Sequence, residues 1–173
     1  MTTIRDDRIA LFGNLQSPAT QQRYWDRVAD DVDRTVEGTH PLAGRYHSKQ
    51  DFIDATFGLL QGVLQGGVRL LVEHLYVDGD ITIAELLSTS TTNEGAPFAN
   101  RYCWVCRFDG DTIVEVRAYL DSAMVAYTVS RNENGRKAVS TKMKSAPSAA
   151  PERTAAGMDE TTPPDPTPSR HGD

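Results

Sequence analysis

Cysteine is scarce in this chain. Its 173 residues include two, Cys103 and Cys106, too few to staple a scaffold of this size, which fits a reducing compartment. Long apolar runs are also missing. No stretch approaches the roughly 18 consecutive apolar residues of a membrane-crossing helix, so no membrane partner is expected. The opening residues, Met1 to Asp7, lack the apolar region of a secretory leader, and the expected location is cytoplasmic. Basic residues are in the minority, 18 against 24 acidic for a net charge of −6, which argues against nucleic acid as a partner. Histidine is rare, and none of His40, His47 and His74 stands at ligand spacing, so no metal site is expected. There is no G-x-S-x-G, and no nucleophile–base pair can be argued.

Proline and charge are unevenly spread. Six of the nine prolines lie between Ser145 and Asp173, where Met158 is the one large apolar residue. Such a segment cannot bury enough surface to offset its ordering entropy and reads as a disordered tail. Between Arg131 and Lys144, five basic residues face one acid, Glu133. Residues 131–173 hold seven basic and six acidic side chains, so the −6 divides into about −7 for the body and +1 for the tail. One folded domain over residues 1–130 is expected, followed by a basic stub and a Pro-rich tail over 131–173.

Within the body, Thr3 and Asp6 form a T-x-x-D helix start, followed by Ile4, Leu11, Phe12 and Leu15 at helical spacing. Ser17-Pro18 opens a second helix that buries Tyr24, Trp25 and Val28. The pattern turns extended from Asp33 to Gly38. Ser48 and Asp51 start a third helix, whose apolar face is Phe52, Ile53, Phe57, Leu60 and Leu64, and which Gly66-Gly67 ends. Gly62 to Gly67 follows no strand, so it is a helix end rather than a dinucleotide loop. Val68–Val77, Ile81–Thr89, Phe98–Phe108 and Thr112–Leu120 read as strands, with hairpin turns at Asp78-Gly79 and Asp109-Gly110. The fold class is therefore α+β: a curved antiparallel sheet packed on three N-terminal helices, leaving a cone-shaped pocket.

Four segments then carry a resemblance: Asp30-Asp31, Thr35-Val36-Glu37-Gly38, Pro41-Leu42-Ala43-Gly44 and Val116-Arg117-Ala118-Tyr119-Leu120-Asp121. Over residues 4–128 the chain resembles the SnoaL-like and ketosteroid-isomerase-like branch of the nuclear-transport-factor-like superfamily. Pro97 to Tyr102 with Asp121-Ser122-Ala123 also looks like fungal meroterpenoid isomerases of that superfamily. The resemblance implies proton-transfer chemistry on a small apolar molecule, no organic cofactor, and a homodimer. It does not carry the catalytic acids across. The ketosteroid isomerases' base falls at Gly38 and their oxyanion-hole aspartate near Trp104. The aspartate that SnoaL-type cyclases and limonene-epoxide hydrolases place after the closing arginine falls at Ala118. The hydrolases' arginine and aspartate on the second long strand fall at Glu85 and Leu87.

Other residues must then fill the pocket. The resemblance turns Ile81, Ile83, Glu85 and Leu87 toward the cone, with Tyr102, Trp104 and Cys106 on the next strand. A carboxylate there would be desolvated and suited to acid–base work. The alternative pairs Glu85 with Arg117 or Arg101, or turns it to water. His40, in a loop at the cone's mouth, is the second catalytic candidate, or else a loop histidine bonded to backbone. Tyr24 could offer a phenol to an oxyanion or could be core. Tyr24, Tyr102 and Trp104 would wall the substrate, Arg117 is a further candidate for binding it, and Asp121 would be a charge at the pocket or dimer edge. Asp121 also fits an N-cap for the segment from Ser122, and Arg117 a companion to Asp121 or Glu115. Cys103 and Cys106 point to opposite faces of one strand and cannot share a metal or a disulfide. The expected function is an isomerase, cyclase or dehydratase without cofactor. The other expectation is a binding or scaffold dimer that leaves its ligand unchanged.

Overall fold

The computed structural model of the protein describes residues 3–132 together with Lys137, Ser140 and Thr141. The expectation for residues 131–173 therefore falls almost wholly outside the described residues.

Helix α1 (Ile4–Gly13) starts where the T-x-x-D pattern places it. The Thr3 hydroxyl accepts from the Asp6 N–H, and the Asp6 carboxylate accepts from the Thr3 N–H. A short turn, Asn14–Gln16, follows, and then α2 (Gln21–Trp25), whose last two residues are buried. Val28 is not in that helix: it opens strand β1 (Val28–Val36), which starts five residues earlier than the sequence reading. Strand β2 (Gly44–Tyr46) pairs back onto it.

The third helix is composite. Ser48 caps α3 (Lys49–Phe52), Ile53–Phe57 widen into a π-turn, and α4 (Gly58–Val63) completes it. Strands β3 (Leu70–Asp78) and β4 (Ile81–Ser88) form one hairpin; β7 (Arg101–Asp109) and β8 (Thr112–Leu120) form another. Gly79 and Gly110 turn these hairpins at φ 57° and 58°, a left-handed conformation that costs glycine little. A separate ribbon pairs β5 (Ser90–Thr91) with β6 (Pro97–Phe98), and α5 (Ser122–Arg131) ends the fold.

The main sheet runs β2-β1-β8-β7-β4-β3. Its pairs are antiparallel except β1 with β8, which is parallel (Asp33 opposite Glu115, Val36 opposite Ala118). The sheet is thus mixed rather than wholly antiparallel. Register shifts in the β1–β8, β3–β4 and β7–β8 pairs mark where it bends. The helices cover one face. That face carries Val32, Arg34 and Val36 from β1, Ala84 and Leu86 from β4, Trp104, Cys106 and Phe108 from β7, and Val116 and Ala118 from β8, all buried.

Candidate functional site

Strand alternation decides what meets the cone. On β4 the buried set is Thr82, Ala84, Leu86 and Ser88, while Ile81, Ile83, Glu85 and Leu87 lie half-buried on the opposite face. Glu85 stands opposite His74 and Cys103, in a row on the outside of the sheet. Its expected place in the pocket is therefore corrected: the strand presents the other parity. The physical reason is Trp104. Its neighbours across the sheet are Ala84 and Ala118, both buried, and the indole needs small residues on either side. Glu85→Gln is accordingly expected to change stability by no more than about 0.5 kcal/mol, the usual range for a surface substitution. Turnover should stay within about twofold of wild type, read by denaturant unfolding and a rate assay side by side.

Arg117 is likewise on the outer face. It is exposed and donates to Glu115 at 2.8 Å, in line with Arg107, which reaches the same carboxylate at 3.0 Å. Arg101 pairs with Glu73. Neither arginine is Glu85's partner, and Arg117 does not reach the cavity. Asp121 caps α5, its carboxylate accepting from the N–H groups of Ala123 (3.0 Å) and Met124 (3.2 Å). Its backbone is clasped by the buried Asn100 side chain, which accepts from the Asp121 N–H and donates to its carbonyl. The two cysteines face opposite ways, as strand geometry requires. Burial pushes the Cys106 thiol up to about 12, so it stays protonated.

Three of the remaining candidates, His40, Tyr102 and Trp104, meet at one cavity. A cavity of about 40 Å³ lies between the sheet and the composite helix, lined by Arg34, His40, Phe52, Phe57, Tyr102 and Trp104 among others. That is room for a few waters, so a larger ligand needs the walls to part. Apart from Arg34, His40, Thr56 and the Tyr102 and Trp104 rings, its lining is aliphatic or phenylalanine, and among the described residues it holds no carboxylate. Thr56, in the π-turn, spends its hydroxyl on the Phe52 carbonyl at 2.6 Å. The His40 ring is buried and tied to backbone: the Leu42 N–H donates to Nδ1 at 3.2 Å, and Nε2 faces the Glu37 carbonyl at 3.3 Å. Gly38 makes room for that ring. At φ 121° a Cβ on it would lie 3.1 Å from the His40 ring and 2.3 Å from the Ser122 hydroxyl.

Arg34 was not singled out from the sequence, and it dominates the site. It is 1% exposed. Its guanidinium carbon lies over the Phe52 ring at 4.0 Å and the Trp104 ring at 4.4 Å. Nε and Nη1 have no hydrogen-bond partner, and among the described residues no carboxylate forms an ion pair with it. Beside it sits Tyr24, wholly buried, edge-on to Phe12 and Trp25, its hydroxyl also unpartnered. Burial drives the Tyr24 phenol well above its ordinary range, with the nearby guanidinium opposing, so the phenol keeps its proton. Burial likewise raises the phenol of Tyr102, which packs edge-on against Trp104. The signal for Arg34 was present in Val32-Asp33-Arg34-Thr35-Val36: valines two residues to either side place the arginine on the buried parity.

No family model matches the chain. The dimerizing cyclase phiC of a fungal species (strain ATCC 74256) is 34% identical over 110 residues, covering 61% of this chain and 49% of that protein. The chain thus spans about half the length of the curated relative it matches. Among solved structures, PrhC from Penicillium brasilianum shares the fold with a TM-score of 0.63 at 10% identity, over 80% of this chain and 97% of that one. An NTF2-like protein from Burkholderia thailandensis gives a TM-score of 0.57 at 22% identity, over 72% of this chain and 92% of that one. The chain has the nuclear-transport-factor-like fold that the resemblance implied. Among the described residues, no helix is long and apolar enough to cross a membrane.

Proposed function

We propose that this chain is a cyclase or isomerase working without an organic cofactor on a small, largely apolar molecule held in the cone cavity. Arg34 acts as its electrophile from the cavity wall, and Tyr24, which lies beside Arg34 and outside the lining, joins it when the walls part for the ligand. The observation that carries this is the buried, unpaired guanidinium of Arg34 at the wall of an otherwise apolar cavity. When an enol carbon of the substrate closes onto its own carbonyl, the carbonyl π pair moves to oxygen, which gains negative charge and takes up the proton that the enol hydroxyl releases. A fixed cation and a protonated phenol in a dry site favour that change more than they favour the starting ketone. With Glu85 outside and both His40 nitrogens on backbone, the cavity offers orientation and charge stabilisation rather than a strong base. A homodimer belongs to the same proposal. The outer sheet face carries the apolar row Tyr76, Ile83 and Val105 across three strands, a surface a second copy could cover.

The test is a thermal-shift screen of the full chain against steroids, terpenoids and polycyclic phenols, followed by Tyr24→Phe. A ligand at about 100 times its Kd should stabilise the fold by roughly 2.7 kcal/mol. Losing one oxyanion donor should cost about 10²-fold or more in kcat while ligand affinity changes little. Unchanged turnover in Tyr24→Phe would remove the phenol from the chemistry. The absence of a carboxylate from the cavity lining favours one second reading, a carrier that holds its ligand without altering it. Recovery of a bound ligand chemically unchanged after long incubation decides for the carrier.

A further inference from the structure

We infer that the ligand of this cavity is an apolar carboxylic acid, whose ionised carboxylate supplies Arg34 with the counter-ion that the described residues do not. The inference rests on the reading of the cavity as a small-molecule site and adds the class of molecule that fits it.

A guanidinium cannot shed its proton to escape burial, since arginine stays charged in proteins. Two oxygen- or sulfur-bearing groups that could balance it, Tyr24 and Cys106, keep their own protons: burial raises both. The aromatic rings of Phe52 and Trp104 attract the cation through their faces but accept no N–H bond in its plane. Two of its nitrogens, Nε and Nη1, are therefore left as buried donors without an acceptor. Native interiors rarely keep such groups unsatisfied unless something outside the chain completes them.

What completes them must bring charge as well as lone pairs. A neutral carbonyl alone would take the hydrogen bonds and leave the cation unbalanced, so the reacting carbonyl and the carboxylate belong to one molecule that shares the guanidinium's several N–H donors. A carboxylate takes both, in the planar geometry a guanidinium matches. The rest of the molecule is set by the other walls: Val36, Leu42, Leu60, Leu70 and Leu120 offer no polar partner, so the body behind the carboxylate is hydrocarbon.

The experiment uses the full chain and three acids of different body, octanoate, trans-cinnamate and 2-naphthoate, each against its primary amide. Binding is read by calorimetry and by thermal shift. In the wild type at least one acid should bind ten-fold or more tighter than its amide. Arg34→Met should lose that preference, and Arg34→Lys should keep part of it. If Arg34→Met fails to fold by circular dichroism, Arg34→Gln takes its place in the comparison. Equal binding of acid and amide overturns the inference and leaves the cavity reading intact. A preference for the acid that survives both neutral substitutions places the anion elsewhere and overturns it as well. If the steroid, terpenoid and phenol panel also fails to bind, the proposed function falls with it.

Discussion

Arg34→Met is expected to melt higher than the wild type and to lose at least about 10²-fold in turnover, the cost of removing a charge-stabilising group. The sign of the stability change follows from magnitudes. Holding an unpaired ion in a protein interior costs several kcal/mol after relaxation. Against this stand two ring contacts, at 4.0 and 4.4 Å, worth about 2 kcal/mol each when desolvated. Methionine is unbranched and flexible enough to fill the space the arginine stem leaves. The balance is a gain of roughly 1–3 kcal/mol, of the size seen when buried ion pairs and triads give way to apolar side chains. Chemical denaturation reads it directly, as a higher midpoint with an unchanged slope. A gain in stability with a loss of turnover marks a group kept for function at the expense of the fold. A loss of more than about 2 kcal/mol would instead make Arg34 a structural anchor, and the proposed chemistry would lose its main support.

Trp104→Ala should produce the largest loss of stability in the site, about 3–5 kcal/mol. The indole is 2% exposed and touches Tyr24, Tyr102 and Arg34. Its neighbours across the sheet, Ala84 and Ala118, are too small to collapse into the space it would leave. Part of the cost is specific to the cation: with the indole gone, Arg34 keeps one aromatic face of two. The same truncation in an Arg34→Met background should therefore cost less. A coupling between 0.5 and 3 kcal/mol is expected from a double-mutant cycle of equilibrium unfolding. Strict additivity would mean that the two side chains sense each other only through the space they share.

Most of the fold was legible because its signals are local. The Thr3–Asp6 and Ser48–Asp51 starts, the Asp-Gly hairpins and the four long strands each rest on a few adjacent residues. The parallel seam between β1 and β8 was not legible, since no local pattern announces which strand an early segment will join. Nor was the parity of β4. Ile81, Ile83 and Leu87 on one face and Ala84 and Leu86 on the other make both faces apolar, so alternation alone could not say which is inside. The bulk of Trp104, a partner on another strand, settles it, and a one-residue difference in parity carries Glu85 from pocket to exterior. Tyr102, Trp104 and His40 line the cavity, and Tyr24 stands next to Arg34 outside the lining. Arg34 escaped notice for a different reason. A lone arginine on a strand is read as surface, because burying it without a partner is costly, and that cost is what gives it meaning here.

The parallel seam also governs when the site can exist. Strand β8 stands between β1 and β7, and the residues it brings together, Asp33 and Glu115 among them, are more than 80 positions apart. On the ribosome, β1 therefore emerges with β2 as its one sheet neighbour and waits for nearly the whole domain to be translated. Until Trp104 arrives, the Arg34 guanidinium stays in water, where its charge costs nothing. Such distant pairing makes for slow closure and a long-lived, partly apolar nascent edge. The cavity therefore cannot close until β7, β8 and α5, which bring Trp104, Ala118 and Val125 to its wall, have been made.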